Sequence, residues 1–163
     1  MINIEKINIS VIGLGYVGLP LVVEFGKKFN VVGFDLDDTR IKELHSGYDR
    51  TNELSDSELS ILDKIKITTN KEDISNSDTY IITVPTPVDK NNKPNLQSII
   101  SASEIVGSML KKNNLVIYES TVFPGCTEEI CVPILEKISR PKANPGRVLG
   151  ASIFNSDSKV IGS

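Results

Sequence analysis

Apolar positions along this chain fall into short β-branched runs separated by stretches of helical spacing. Ile7-Asn8-Ile9-Ser10-Val11-Ile12 ends at Gly13 and predicts a first strand. From Tyr16 the period changes: Val17, Leu21, Val22 and Phe25 share one helical face, and the pattern fades after Lys28. Val31 to Asp35 reads as a second strand, entered through the turn-prone Asn30. A charged helix from about Asp37 turns Ile41 and Leu44 inward and stops at Gly47. Ser55-Asp56-Ser57-Glu58 has the form of a cap opening a short helix through Leu62, and Ile65 to Thr68 a short strand near an edge. Thr79 to Val84 is a strong strand stopped by Pro85 and Pro87, and the polar run Asp89 to Asn95 is an exposed loop. A helix over Leu96 to Leu110, a buried strand over Leu115 to Tyr118 and a last helix over Thr127 to Ile138, with Pro133 inside it, complete the pattern. Strands alternating with helices describe βαβ units, and near-continuous β-branched strands are covered on both faces. The expected fold class is therefore α/β, a doubly wound parallel sheet. From Pro141 to Ser163 the pattern is weakest, so the division is a domain over 1–138 and an atypical tail over 139–163, which leaves the completeness of the sheet's second half open.

Composition narrows the classes of function. The 163 residues are 39% apolar before 11 glycines are counted, enough for one core and one domain, not a disordered or collagen-like chain. A net charge of −3 argues against a nucleic-acid binder. Two cysteines, Cys126 and Cys131, are too few for a disulfide framework, and one histidine, His45, excludes a His-based zinc site. Gly13, Gly15, Gly18, Pro20 and Glu24 break the apolar run from Ile7 to Phe25, which makes neither a bilayer span nor a signal segment. The expectation is a soluble, cytoplasmic protein with no membrane partner. His45 reads as a helix-surface residue and Cys131 as a small buried hydrophobe.

The first strand-to-helix junction, Gly13-Leu14-Gly15-Tyr16-Val17-Gly18, is a G-x-G-x-x-G. Gly13 permits the tight turn, Gly15 lets a pyrophosphate approach the backbone, and Gly18 lets helix and strand pack closely. An acid, Asp35, closes the second strand at the separation where it reaches the adenosine ribose hydroxyls. Together these predict a Rossmann-type dinucleotide site, and the carboxylate favours NAD over NADP. Arg40, on the following helix, is either a phosphate partner or part of a solvated helix face. Pro85 and Thr86 close the fourth strand, and Ser120 and Thr121 the fifth, where ligands gather near a topological switch. Their hydroxyls either face the cofactor or initiate turns and cap helices.

Val11 to Pro20 (VIGLGYVGLP), Val84 to Pro87 (VPTP) and Glu119 to Gly125 (ESTVFPG), in this order and spacing, resemble the amino-terminal domain of UDP-glucose/GDP-mannose dehydrogenases. Val23 to Asp35 is similar to the UDP-N-acetylhexosamine 6-dehydrogenase branch, which supplies uronic acids for capsule and O-antigen. The resemblance implies that Gly13, Gly15, Tyr16, Val17 and Gly18 hold the NAD pyrophosphate and that Asp35 and Arg40 hold the adenosine ribose. It places Thr86 and Thr121 on the nicotinamide side, with Thr121 helping to position a catalytic water. The family oxidises a sugar C6 alcohol to a carboxylate in two hydride transfers with two NAD, through a cysteine thiohemiacetal and thioester.

The match breaks in three places. The family's catalytic Cys, Lys, Asn and Asp lie in a central helix and a sugar-binding carboxy-terminal domain, which this sequence does not include. Cys126 follows Pro-Gly where the family usually has Thr and reads as structural, although a helix start can lower a thiol pKa. The family's Tyr-x-Pro-Glu-Arg segment is missing before Asn144-Pro145-Gly146. That is either an internal deletion of the sixth strand followed by early termination, or a diverged tail in which Arg147-Val148-Leu149 supplies a substitute strand. Two functions follow: the NAD-binding part of a nucleotide-sugar dehydrogenase, which takes a UDP-sugar only with the missing domain or a complementing polypeptide, or a non-catalytic NAD-binding remnant or interaction or sensing module.

Overall fold

The computed structural model describes residues 7–91, 93–139 and, as backbone, 148–150. Its strands are β1 (Asn8–Ile12), β2 (Asn30–Phe34), β3 (Lys66–Thr68), β4 (Thr79–Ile82), β5 (Leu115–Tyr118) and β6 (Val148–Gly150). They form one parallel sheet in the order β3-β2-β1-β4-β5-β6. The order reverses between β1 and β4, so the crevice beyond their carboxyl ends is the topological switch. The expected edge position of the Ile65 to Thr68 strand is that of β3.

Alternate residues of each strand feed two cores. Ile12, Phe34, Tyr80, Ile82, Val116 and Tyr118 pack under α4 (Gln97–Met109) and α5 (Val132–Ser139). Ile9, Val11, Val31, Ile67 and Ile81 pack under α1 (Gly18–Gly26), α2 (Asp38–His45) and α3 (Asp56–Leu62). Burial on both faces explains why the strands read as continuous β-branched runs. The α3 cap is the capping box its sequence announces: the Ser55 side chain takes the Glu58 amide, and the Glu58 carboxylate takes the Ser55 amide.

The structure corrects several boundaries. The first helix begins at Gly18 rather than Tyr16, because Tyr16 and Val17 belong to the turn that exposes the glycine loop. The fourth strand ends at Ile82, and Thr83 and Val84 lie beyond it. A 3₁₀ turn over Lys71–Ile74, which the apolar pattern did not show, brings the Ile74 carbonyl 3.0 Å from the buried Tyr80 hydroxyl. The last helix opens with a π-turn over Thr127–Cys131, in which the Val132 N–H reaches the Thr127 carbonyl. Pro133 has no N–H to donate, and the wider turn absorbs that missing bond. The loop from Asp89 is exposed as expected, with Val88 and Pro94 bridged and the Asp89 carboxylate taking the Asn91 and Lys93 amides.

The sheet has a sixth strand. β6 pairs with β5 in parallel, Val116 opposite Val148 and Tyr118 opposite Gly150, one residue beyond the Arg147-Val148-Leu149 that the diverged-tail alternative names. Three residues are too few to display a strand period, which is why the tail stayed ambiguous in sequence. The remainder of the tail, 140–147 and 151–163, lies outside the described residues. Among the described residues no helix is long and apolar enough to cross a membrane.

Candidate functional site

A cleft of about 850 Å³ opens beyond the carboxyl ends of β1, β2, β4 and β5, within the range typical of small-molecule sites. Its floor is the glycine loop. Gly13 takes φ +98°, a left-handed conformation that L side chains rarely adopt, and donates its N–H to the Phe34 carbonyl at 2.8 Å. A Cβ on Gly18 would lie 1.8 Å from the Gly13 carbonyl oxygen and 2.4 Å from Thr83 Oγ1, so only glycine lets α1 start this close to β1. A Cβ on Gly15 would meet nothing within 4 Å, so the backbone there is open to a ligand. Among the described residues no backbone hydrogen bond engages the N–H groups of Gly15, Tyr16 or Val17. Donors ahead of a helix start, with a favourable dipole behind them, suit phosphate.

Three side chains hold this loop from beneath. The buried Thr83 hydroxyl lies 3.0 Å from the Ile12 carbonyl and 2.8 Å from that of Gly13, to which it donates. Asp35 Oδ2 accepts the Leu14 N–H at 2.7 Å, while Oδ1 accepts that of Asp37 at 2.9 Å. Each oxygen keeps a second lone-pair direction, enough to accept ribose hydroxyls. Arg40 Nε donates to the Leu14 carbonyl at 2.8 Å.

Arg40 is neither on a solvated helix face nor a forward-reaching phosphate ligand. Its side chain is only 3% exposed, and Nη2 lies 2.7 Å from Asp49 Oδ1. Burial alone would push the Asp49 carboxyl up. Hydrogen bonds from Thr51, Arg40 and the Glu53 amide overcome that and hold it at about 2. Arg40 Nη1 is likewise buried, without a hydrogen bond and 3.9 Å from Glu43, so Arg40 supports the loop from behind.

At the far end, Ser120 Oγ donates to the Val84 carbonyl at 2.7 Å and Thr86 Oγ1 donates to that of Thr121. Both hydroxyls line the cleft, and both spend their proton tying the β4 and β5 loops together, so each meets a ligand as an acceptor. Pro85 and Thr121 line the same end, with Thr121 exposed. Beside them, burial pushes the Glu119 carboxyl up, and its Oε2 is buried with no hydrogen-bond partner.

Cys126 and Cys131 lie outside the cleft, fully buried in the core under α4 and α5. Burial pushes the Cys126 thiol up, overriding any lowering at the helix start, and pushes Cys131 to about 11. His45 is exposed on α2, as expected. Among the described residues no three His, Cys, Asp or Glu are grouped to hold a metal. Sequence reasoning missed Thr83, hidden in a strand pattern, and Arg50, in a turn with no periodic signal. It also missed Gln97, Ser98 and Ser101, which α4 contributes to the cleft wall.

A parallel sheet with an order reversal, an open glycine loop at the switch and an acid closing the second strand defines a dinucleotide-binding domain. The backbone open at Gly15 and the N–H groups of Gly15, Tyr16 and Val17, which no backbone bond engages among the described residues, stand at the floor of this cleft, so the residues present fit such a cofactor. Residues 7–159 match the NAD binding domain of the UDP-glucose/GDP-mannose dehydrogenase family, and the chain belongs to that family.

Protein CapL of Staphylococcus aureus is 52% identical over 147 residues, covering 90% of this chain and 33% of that protein. A UDP-N-acetyl-D-glucosamine 6-dehydrogenase of Pseudomonas aeruginosa is 49% identical over 148 residues, 91% of this chain and 35% of that one. The solved structure of a UDP-D-ManNAc dehydrogenase from Pyrococcus horikoshii aligns with a TM-score of 0.77 at 33% identity, covering 88% of this chain and 35% of that one. The chain thus spans about a third of the length of the relatives it matches.

Proposed function

We propose that this chain is the cofactor-binding part of a nucleotide-sugar 6-dehydrogenase acting on a UDP-N-acetylhexosamine, in the synthesis of surface polysaccharide. The observation that carries the reading is Asp35. Its carboxylate is fixed by the Leu14 and Asp37 amides at the mouth of the glycine loop, where it accepts ribose hydroxyls and disfavours a 2′-phosphate. The relatives' names support the substrate class.

NAD, when bound, supplies the hydride acceptor for oxidation at the sugar C6. The amides of Gly15, Tyr16 and Val17 bind its pyrophosphate, and Thr86, Ser120 and Thr121 offer hydroxyl oxygens at the opposite end of the cleft. Thr121, exposed and without a side-chain hydrogen bond among the described residues, is placed to orient water. The described residues offer no thiol at the cleft, so turnover needs a nucleophile and sugar site from further polypeptide. Two free, buried cysteines suit a reducing compartment, and we place the protein in the cytoplasm.

Thermal unfolding without ligand, with NAD and with NADP tests this. NAD at about 100 times its Kd adds about 2.7 kcal/mol, a rise of roughly 5–11 °C for a chain of this size. Asp35→Ala should weaken NAD at least about tenfold, the loss of a hydrogen bond to a charged group. A transition unmoved by NAD would refute the site and leave a non-binding remnant. NADH production from a UDP-sugar by this chain alone would refute the need for further polypeptide.

A further inference from the structure

We infer that Arg50, clamped on Asp37 and Glu43, is a cofactor-specificity residue whose clamp withholds the cleft's exposed cation from a 2′-phosphate. The inference rests on the NAD reading above and deepens it.

The sequence offers Arg40 as the arginine to accommodate a phosphate, but Arg40 is turned inward and its charge is matched by Asp49. Arg50 takes the position at the cleft instead, lining it with Asp35, Leu36 and Asp37, its side chain 42% exposed. An arginine near the acid at the end of the second strand is what NADP sites use. Here that arginine is occupied. Arg50 donates from Nη2 to Asp37 Oδ2, and its Nε lies 3.3 Å from Glu43 Oε2. Asp37 divides its oxygens between two tasks. Oδ1 caps α2 by taking the Thr39 and Arg40 amides at 3.0 and 3.2 Å, which leaves Oδ2 for Arg50. The hydrogen bond lowers the Asp37 carboxyl and raises the Arg50 guanidinium, so both stay charged at neutral pH.

The resulting field discriminates. Asp35, Asp37 and Glu43 face one exposed guanidinium, so a phosphate on the ribose meets net negative charge, while ribose hydroxyls meet acceptors.

Asp37→Asn separates the cap from the clamp. Asn caps a helix as well as Asp, so α2 keeps its start, while Arg50 loses its charged partner. The full chain and its variants are titrated with NAD and NADP by calorimetry, and Kd(NADP)/Kd(NAD) is compared; the ratio cancels effects on the shared pyrophosphate. The ratio is expected to fall about tenfold in Asp37→Asn, and in the same direction in Glu43→Gln, which loosens Arg50 without touching the cap. Adding Arg50→Gln to Asp37→Asn should restore the original ratio. A ratio unmoved in both single variants, or one that stays low in the double variant, overturns the proposal. Failure of the unsubstituted chain to bind NAD is a different result: it refutes the site itself and this inference with it.

Discussion

Asp49→Asn should unfold this domain more readily than any ordinary surface change, because it breaks a buried ion pair from one side. Asp49 is 2% exposed and accepts five hydrogen bonds: at Oδ1 from Arg40 Nη2 (2.7 Å), Thr51 N (3.0 Å) and Thr51 Oγ1 (2.6 Å), and at Oδ2 from the Glu53 and Leu54 amides (3.0 and 3.3 Å). An asparagine presents an NH₂ group where one set of donors points, and leaves the buried Arg40 guanidinium with only Glu43, 3.9 Å away and shared with Arg50, as counter-charge. Removing one partner of a buried pair costs about 3–5 kcal/mol, a large share of the 5–15 kcal/mol that holds a domain together. Urea unfolding measures the loss. Arg40→Met added to Asp49→Asn should cost less than Arg40→Met alone, since no unpaired charge then remains.

The pH dependence carries the same signature. The Asp49 pKa falls from 3.8 to about 2 in the fold, which at about 1.4 kcal/mol per unit contributes about 2 kcal/mol. A depressed carboxyl stabilises fully above its unfolded value and loses that contribution as pH falls through the folded one. The gap between the native chain and Asp49→Asn should therefore be constant above about pH 4.5 and shrink toward pH 2. A loss under about 1 kcal/mol at pH 7, or additive costs in the double variant, would refute the assignment of this pair as a keystone of the glycine loop.

Two further outcomes follow from distances and burial. Gly18→Ala places a Cβ 1.8 Å from a backbone oxygen, so it should destabilise by at least about 2–3 kcal/mol and abolish the NAD-induced rise in Tm; a variant of native stability that binds NAD would contradict the close approach. Cys126 and Cys131 are buried with raised thiol pKa values, so Ellman's reagent should label neither in the folded chain and both in urea; rapid labelling of one thiol in the native state would show that the core opens there.

What could be read from sequence was what depends on local backbone demand. The glycine loop needs Gly13 for its φ and Gly18 for its contact, and the strands need β-branched residues because both faces are covered. What could not be read was where long or polar side chains turn. Arg40 sits in the first turn of α2 at a spacing that permits either direction, and the choice is made by Asp49, in a loop whose sequence carries no periodicity. Thr83 sits in the same apolar run as its strand, and only the sheet order shows its hydroxyl beneath Gly13. Pro133 left the helix in place but changed its first turn, since a missing N–H can be met by a wider turn as well as by a break.

The hydrogen bonds that shape the glycine loop run among residues 12 to 83: Gly13 to Phe34, Leu14 to Asp35, Arg40 to Leu14 and Asp49, and Thr83 to Ile12 and Gly13. The second end of the cleft is closed differently, by Ser120 and Thr86 crossing between the β4 and β5 loops. One half of the cleft is thus held by a buried charge network and the other by two hydroxyl ties, of which only Ser120 is buried. Local opening begins where few buried contacts oppose it, and the exposed Thr86–Thr121 tie is the less covered of the two. On the proposed reading, adenosine would meet the side tied by buried bonds, and the reacting carbon the side tied by one part-buried and one exposed hydroxyl. That reading separates affinity for the dinucleotide, assigned to Asp35 and its neighbours, from positioning for chemistry, assigned to what orders Thr86 and Thr121.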